Sequence, residues 1–331
     1  MPNLLFSIID ALSDGKFHSG EVLAKQFEVS RASIWNAIAE AEQLGVEIHS
    51  VRGKGYKLRQ AIKLLDELSI KRAIGEQSNF FNIEVVDITE STNSLMMQKA
   101  NKAYPHASCL AANIQTAGRG RRGRRWVSDL GENLTFSFLW RFNQGAAMLS
   151  GLSLVVGIAL IRTFKLIGIN QALLKWPNDV LILQDKVYKK LAGILIELQG
   201  DMDGQSLAVI GIGINLNLSK NQIKKIDQPA IDIQTLISEP IDPNNLVAMI
   251  IKELARALSE FETDGFEKMK EEWTNAHAFY DKVISLTKGD GQTVTGKVID
   301  LSNEGSLILQ TNQGQQSFTS GEVVLNKDWN N

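Results

Sequence analysis

The first sixty residues carry apolar positions spaced three or four apart, followed by a short alternating stretch. This spacing predicts helices over residues 4–12, 21–27 and 30–45. Residues 46–58 then predict a β-hairpin. Two helices joined by a tight turn and followed by a hairpin are typical of a winged helix-turn-helix.

The third predicted helix opens on polar residues, and in a helix-turn-helix this end meets the base edges of DNA. Ser30 is placed to cap the helix. The candidate DNA contacts on this helix are Ser30, Arg31, Ser33 and Asn36, with Trp35 as a further candidate. The alternative for this segment is a small three-helix module that binds another protein.

The hairpin turn supplies a second candidate contact with DNA. Four of the seven Lys and Arg residues of 1–60 lie in 52–59, with no acid among them, and Arg52 and Lys54 occupy the turn. Such a basic patch neutralises phosphates without reading sequence. Because helix-turn-helix units work in pairs on palindromic half-sites, we also expect a homodimer.

Beyond the hairpin, an apolar connector that includes Leu64, Leu65, Leu68 and Ile74 is expected to pack and couple two domains. From about residue 68 to 274, predicted strands alternate with a few long helices, which indicates a mixed α/β domain.

Composition narrows the function classes. The chain has 331 residues, is 44% hydrophobic and has a net charge of −2, which excludes a wholesale basic nucleic-acid binder. Its single cysteine, Cys109, excludes an internal disulfide and fits a reducing cytoplasm. The four histidines show no metal-ligand spacing. The longest apolar stretch, residues 149–161, is too short to span a membrane, and the N-terminus lacks the basic region of a signal peptide.

One segment concentrates arginine and glycine: Thr116 to Trp126 contains five arginines and three glycines in eleven residues. Predicted strands at 108–113 and 134–140 flank it, so we interpret it as an ordered loop that closes over an anionic ligand. A disordered nucleic-acid-binding tail is the alternative.

Further polar clusters lie at the ends of predicted strands. Thr89 to Asn93 offers hydroxyls and an amide, which serve either a ligand or the cap of a helix that begins near Leu95. Lys175 to Asp179 is a dense polar turn, and Lys190 to Glu197 is predicted as a strand that opens on a lysine. Gln115 adds a side chain that both donates and accepts hydrogen bonds. Gly211 to Asn215 is only a weak indication of a ligand site when taken alone, because glycines in a strand often serve packing. Polar donors, arginines, a lysine and an aromatic wall together suit the joining of a carboxylate to the α-phosphate of ATP.

At these positions the chain resembles the bifunctional biotin–protein ligases that also repress the biotin operon. The matching segments are 91–93, 115–126, 175–179, 190–197 and 211–215, together with Arg52-Gly-Lys-Gly-Tyr56 in the wing. The resemblance implies a three-domain α+β fold. It consists of a winged helix-turn-helix over 1–64, a mixed α/β biotin/lipoate-ligase-like catalytic domain over 65–274 and an SH3-like β-barrel over 275–331. Short alternating strands in 283–286, 293–300, 307–310 and 316–319 fit the barrel.

The resemblance also implies the reaction. Biotin and ATP with Mg²⁺ give biotinyl-5′-adenylate, and a lysine of the biotin carboxyl carrier protein of acetyl-CoA carboxylase then takes the biotin. It further implies that the adenylate orders residues 119–126 and promotes a homodimer that binds biotin operator DNA.

Candidate site residues follow from the same resemblance. For biotin these are Ser91, Thr92, Asn93, Gln115, Gly118, Arg119, Gly193 and Leu195. For ATP and the adenylate they are Arg121, Trp126, Asn178, Lys190 and Asn215. Lys190, Arg121 and Arg119 are the candidate catalytic cations, Asp179 is the candidate to orient the acceptor amine or take its proton, and no protein metal cluster is expected. The alternatives are a non-catalytic biotin-sensing repressor and a lipoate–protein ligase of the same fold.

Overall fold

The computed structural model describes residues 3–102, 104–200 and 204–325. Its N-terminal part consists of helices α1 (Leu4–Leu12), α2 (Gly20–Gln26) and α3 (Arg31–Gln43), followed by strands β1 (Ile48–Val51) and β2 (Gly55–Leu58). The Ser30 hydroxyl caps α3 by accepting a hydrogen bond of 3.0 Å from the Ser33 amide. The predicted winged helix-turn-helix is therefore confirmed.

The apolar faces of these helices form one core with β2. Two residues from the next part of the chain, Ile114 and Leu130, lie in the same buried cluster. Ile62 also contacts the bare backbone of Gly131. The N-terminal unit thus shares part of its core with the central domain.

The connector leads into helix α4 (Glu67–Ile74). Asn113 Oδ1 accepts a 2.8 Å hydrogen bond from the Leu65 amide. Leu65 and Ile74 are buried as expected, but the prediction was wrong for Leu68, whose exposure is 64%. Leu68 faces solvent because the apolar face of α4 is set by Ile70 and Ile74, which point into the core.

A seven-stranded mixed sheet forms the central domain. Its elements, in chain order, are β3 (Asn82–Thr89), α5 (Thr92–Ala100), β4 (Ser108–Gln115), β5 (Asn133–Phe142), α6 (Leu152–Leu166), β6 (Ala172–Lys175), β7 (Asp179–Gln184), β8 (Val187–Gly200), β9 (Ser206–Asn215), α7 (Lys220–Lys225), α8 (Ile233–Leu236), α9 (Pro243–Asp264) and α10 (Lys270–Asn275). The strand order is β3-β4-β5-β9-β8-β7-β6, and only the β3–β4 pair is parallel among these described strands.

Both faces of this sheet are covered. Helices α6 and α9 share the main hydrophobic core with one face, whereas Met96 and Ala100 of α5 pack with Leu110, Leu139 and Val209 on the other face. The N-terminus of α5 lies beside the end of β4, since the Thr92 amide donates to Gln115 Oε1.

Two element boundaries differ from the sequence prediction. Helix α5 begins at Thr92 rather than near Leu95, because Ser91 is its N-cap and accepts from the Ser94 amide. Strand β8 begins at Val187 rather than at Lys190. The turn before it consists of Asp185 and Lys186 alone, both at positive φ, so pairing resumes as soon as the turn closes.

The C-terminal part is a five-stranded antiparallel sheet. Its strands are β10 (Val283–Thr287), β11 (Thr293–Leu301), β12 (Leu307–Thr311), β13 (Gly314–Phe318) and β14 (Glu322–Leu325), in the order β13-β12-β11-β10-β14. The sequence predicted the first four strands. It missed β14, a four-residue segment that is strand only because it pairs with β10.

This sheet is joined to the central domain near the turn after β6. Trp176 is buried and donates from Nε1 to the Gly305 carbonyl oxygen at 3.1 Å.

In the part of the chain that the structure describes, no helix has the length and apolar character needed to cross a membrane.

Candidate active site

The arginine- and glycine-rich loop between β4 and β5 is folded back on itself. The Trp126 amide donates to the Gly118 carbonyl oxygen at 2.9 Å, and the Gly120 amide donates to that of Arg124 at 2.7 Å. A side chain at Gly118 would collide with the Trp126 backbone, so this close approach requires glycine. The ordered loop predicted between strands is present.

The loop arginines reach acceptors around a pocket beneath them. Arg121 Nη1 donates to Asn178 Oδ1 at 3.0 Å, which ties the loop to the turn before β7. The other partners are Glu197 for Arg119, the Thr287 carbonyl oxygen for Arg122, Glu322 for Arg124 and the Thr116 carbonyl oxygen for Arg125. The pKa of the Arg121 guanidinium is lowered, mainly because burial removes water from around the charge. An anion beside Arg121 would therefore meet a poorly hydrated positive charge.

The floor of the pocket is the N-terminus of α5. The Thr92 amide donates to Gln115 Oε1 at 2.8 Å, which leaves the Gln115 Nε2 group as a donor beside Gly118. Ser91, Thr92, Asn93 and Gln115 are all buried and all line the pocket. The structure therefore brings these four predicted residues together.

Glycines let two side chains lie flat on the sheet. A methyl group at Gly211 would overlap the Asn93 amide, and one at Gly213 would overlap the Trp126 indole. At Gly193 a methyl group would lie 3.2 Å from the same indole ring. The bare backbone of β8 and β9 is thus what admits Trp126 to the pocket wall.

A carboxylate between two lysines forms another part of the pocket wall. Lys190 Nζ lies 2.8 Å from Asp179 Oδ1, and Lys175 Nζ lies 4.0 Å from Asp179 Oδ2. The Lys190 ammonium also lies 5.6 Å from the centroid of the Trp126 ring. Burial lowers the pKa of Lys175, with Asp179 acting in the opposite direction.

A second pocket adjoins the first and shares Gln115, Trp126 and Lys190 with it. Much of its remaining wall comes from residues 127–129, from Asn215 and from residues 225–228 at the end of α7. The Trp126 Nε1 group is buried and has no hydrogen-bond partner among the described residues. An unpaired indole N–H between two pockets is a donor available to a ligand.

Asn215, the predicted nucleotide contact, lines the second pocket and also holds the backbone beside it. Its side-chain Nδ2 donates to the carbonyl oxygens of Lys190 and Ile231, both at 3.1 Å, and its Oδ1 accepts from Asn133. The amide is buried and holds the backbone of Lys190 against the segment after α7. Leu195 likewise contributes its carbonyl oxygen, to Asn93 at 3.2 Å.

Sequence reasoning missed Glu197 and Ser137 as members of the site. Glu197 accepts from both Arg119 and Asn93, and Ser137 lies between Thr92 and Asn93. Neither residue carries a local signal, because their partners lie between 44 and 104 residues away in the chain. The described residues contain no group of three His, Cys, Asp or Glu placed to hold a metal.

The candidate DNA contacts are separate from this site. Arg31 and Asn36 on α3 and Arg52 and Lys54 in the hairpin turn are all exposed. The Ser30 and Ser33 hydroxyl oxygens lie 2.9 Å apart, and Ser30 Oγ also accepts from the Ser33 amide, so Ser30 caps the helix. The hairpin is fixed to the segment before α2 by the Tyr56 amide, which donates to the His18 carbonyl oxygen at 2.8 Å.

Comparison with known proteins matches each part of the chain. Residues 5–57 match the HTH domain, residues 85–217 the Biotin/lipoate A/B protein ligase family and residues 282–326 the Biotin protein ligase C terminal domain. The chain is 35% identical over 319 residues to the Bifunctional ligase/repressor BirA of Salmonella typhimurium, with 96% of each chain covered. It is 36% identical over 318 residues to the protein of the same name from Escherichia coli, again with 96% of each chain covered.

A solved structure shows the same likeness in three dimensions. The biotin protein ligase from Aquifex aeolicus in complex with biotin and ATP superposes with a TM-score of 0.60 at 28% identity. The match covers 74% of this chain and 98% of that chain.

Proposed function

This chain belongs to the bifunctional biotin–protein ligase/repressor family, and from that premise we propose a two-step reaction at the pocket beneath the arginine loop. Biotin and ATP form biotinyl-5′-adenylate, and biotin then passes to a lysine of a carrier protein. The observation that carries the proposal is the convergence of Arg121, Lys190 and Trp126 opposite the polar floor of Ser91, Thr92 and Gln115.

The polar floor suits the uncharged head group of biotin. The ureido ring presents one carbonyl oxygen and two N–H groups, so it needs both donors and acceptors. The hydroxyls of Ser91 and Thr92 and the amide of Gln115 supply both, and Asn93 holds the floor in place. Gly118 and Gly193 let the backbone approach the ligand, and the Leu195 carbonyl oxygen anchors Asn93.

In the first step, a carboxylate oxygen of biotin attacks the α-phosphorus of ATP, and the bond to pyrophosphate breaks. Two anions must meet, and negative charge builds on the phosphoryl oxygens. Arg119, Arg121 and Lys190 are the cations we assign to this charge. Each cation about 4 Å from a phosphoryl oxygen is worth on the order of 4 kcal/mol at an effective dielectric of about 20.

The second pocket is our candidate nucleotide site. Trp126 lines both pockets and offers an aromatic face and an unpaired N–H. Asn178 lines the first pocket beside Arg121, and we assign it to the nucleotide from that side. Asn215 acts there by holding the Lys190 backbone. Mg²⁺ fits as a companion of ATP, since Mg²⁺ is commonly held by substrate phosphates, water and one or two carboxylates; it would neutralise phosphate charge.

In the second step, the acceptor amine attacks the acyl carbon, and the bond to AMP breaks. A free lysine amine is mostly protonated near neutrality, because its reference pKa is about 10.4. Asp179 faces the pocket between Lys175 and Lys190, which places a carboxylate where the incoming amine can be oriented and its proton taken. We therefore assign this role to Asp179.

The N-terminal unit makes the protein a repressor in this proposal. Arg31, Ser33 and Asn36 would meet base edges of the biotin operator, with Ser30 capping their helix, while Arg52 and Lys54 would meet phosphates. Formation of the adenylate would promote a homodimer that places two such units on one operator. The acceptor would be the biotin carboxyl carrier protein of acetyl-CoA carboxylase, in the cytoplasm.

The domain division we propose is 1–64, 65–274 and 275–331. It is supported by the matched stretches 5–57, 85–217 and 282–326, each of which lies inside one proposed domain.

The test is transfer of biotin from biotin and ATP-Mg²⁺ onto a purified carrier domain. Lys190→Ala and Arg121→Ala should lower transfer by about 100-fold or more, as expected for loss of a group that stabilises transition-state charge. Lys189→Ala is the matched control, since Lys189 precedes Lys190 on the same strand but lines neither pocket and donates to Gln184.

Three outcomes would contradict the assignment. Transfer of lipoate but not biotin would make the protein a ligase of another specificity. Biotin and operator binding without transfer would make it a sensor alone. Equal losses in Lys189→Ala and Lys190→Ala would remove the special role of Lys190.

A further inference from the structure

A chain of hydrogen bonds runs under the pocket from its polar floor to the arginine loop. It begins at Gln115 and Thr92, where Gln115 Oε1 accepts from the Thr92 amide at 2.8 Å and lies 3.1 Å from the Thr92 hydroxyl. The Thr92 and Ser137 hydroxyl oxygens are 2.8 Å apart, and the Ser137 hydroxyl lies 2.6 Å from Asn93 Oδ1. These four residues are buried.

The chain of hydrogen bonds continues to the arginine loop. Asn93 Nδ2 donates to Glu197 Oε2 at 3.0 Å. The same carboxylate oxygen accepts a hydrogen bond from Arg119 Nη2 in the loop. Side chains from α5, β4, β5, β8 and the loop are therefore linked without a break.

Counting protons gives this chain a direction. The Thr92 hydroxyl donates to Gln115 Oε1, and the single Ser137 hydroxyl proton is shared between two acceptors, Thr92 Oγ1 and Asn93 Oδ1. A ligand that forms a hydrogen bond with Gln115 or Thr92 changes how well Thr92 Oγ1 competes for the Ser137 proton. The change therefore passes through Ser137 to Asn93 and from Asn93 to Glu197.

We infer that Ser137 and Glu197 are positioning residues that couple recognition of the biotin head group to closure of the arginine loop. The inference rests on the proposed function, because it takes biotin as the ligand of the floor. Glu197 holds the loop through Arg119, and Ser137 joins Glu197 to the residues that meet the ligand. Neither residue needs to touch the reacting atoms.

The loop itself supplies the assay, since its five arginines are sites for trypsin. For the wild-type protein, biotin should slow cleavage within residues 119–125 by roughly 5- to 150-fold, the usual range for coupling between two sites. In Glu197→Gln and Ser137→Ala, biotin should still bind but slow cleavage less than about twofold. Because coupling between two sites is reciprocal, calorimetry should show that each variant binds biotin more weakly than the wild type, by the same factor by which its protection from cleavage is reduced.

Glu322→Gln is the matched control. Glu322 also holds the loop, through Arg124 and Arg122, and it lines the pocket. It belongs to the C-terminal sheet, however, and among the described residues it forms no hydrogen bond with the chain under the pocket. The loop of this variant should be cleaved faster than that of the wild type, both with and without biotin. The ratio of the cleavage rate without biotin to the rate with biotin should stay close to the wild-type ratio. A loss of the ratio in Glu322→Gln equal to that in Glu197→Gln would overturn the coupling.

The two variants protect the test against misfolding. If Glu197→Gln fails to fold, Ser137→Ala still interrupts the series of hydrogen bonds, because it removes one buried hydroxyl oxygen. Ser137 lines neither pocket, so the pocket walls keep their side chains. Wild-type protection that survives in Ser137→Ala would overturn the inference while leaving the ligase function intact. If the wild type shows no heat of biotin binding in calorimetry and no slowing of trypsin cleavage by biotin, the proposed function is overturned as well.

Discussion

Acidification should destabilise this protein through His277, at the junction between the central and C-terminal parts. His277 is buried, and its ring lies 4.6 Å from that of Trp273. Burial, helped by the charge of Lys282, lowers the pKa of His277 to about 3 from an ordinary value of 6.5. The folded protein therefore keeps a neutral ring where the unfolded chain binds a proton.

The sign and size of the effect follow from proton linkage. Between pH 6.5 and 3 the unfolded state holds more protons at this site, so the free energy of unfolding falls as the pH falls. The slope is at most about 1.4 kcal/mol per pH unit for one site, and summed along the titration it gives about 2 kcal/mol lost on going from pH 7.5 to pH 5. Below about pH 3 this contribution stops growing.

Urea unfolding at pH 7.5 and pH 5 would measure this loss. His277→Gln should lose about 2 kcal/mol less than the wild type between these conditions. His49→Gln, at an exposed position of the hairpin, is the matched control and should follow the wild type. Equal losses in wild type and His277→Gln would refute the reasoning.

Three further predictions concern the pocket and the DNA-binding unit. Gly213→Ala should displace the Trp126 ring and raise the KM for ATP by roughly 10- to 100-fold, whereas Gly289→Ala, in open space, should not change it. Lys175→Met should raise the free energy of unfolding at pH 7 and lower biotin transfer. Because burial lowers the pKa of Lys175, the stability gain should shrink toward pH 10, and a constant gain in urea unfolding would contradict this. Replacing Arg52 and Lys54 by Ala should weaken binding to all DNA sequences alike and reduce the salt slope by roughly two in fluorescence anisotropy; an effect confined to one sequence would argue against phosphate contacts.

Local chemistry explains what the sequence could predict. Ser30 caps α3 through an amide three residues away, so the start of the helix is visible in the sequence. The arginine loop is visible because its composition is unusual and its flanking strands are apolar. Helical periodicity likewise predicted the N-terminal unit, since one face of each helix must be buried.

Long-range pairing explains what the sequence could not predict. Asn215 lines the second pocket, but the sequence does not show that its amide also donates to the carbonyl oxygens of Lys190 on β8 and of Ile231 just before α8. Glu197 carries no sign of Arg119, which lies 78 residues earlier. Strand β14 forms only because β10 offers a free edge. Each of these depends on the assembled sheet.

The shared core of the N-terminal unit limits how the protein can be divided. Ile114 and Leu130 belong to the central domain but are buried among the side chains of the winged helix-turn-helix. Removing residues 1–60 to obtain a ligase without DNA binding would expose both side chains beside the arginine loop. A truncated enzyme would therefore be prone to aggregate unless these two positions were made polar, and such a paired redesign would separate the two activities of the chain.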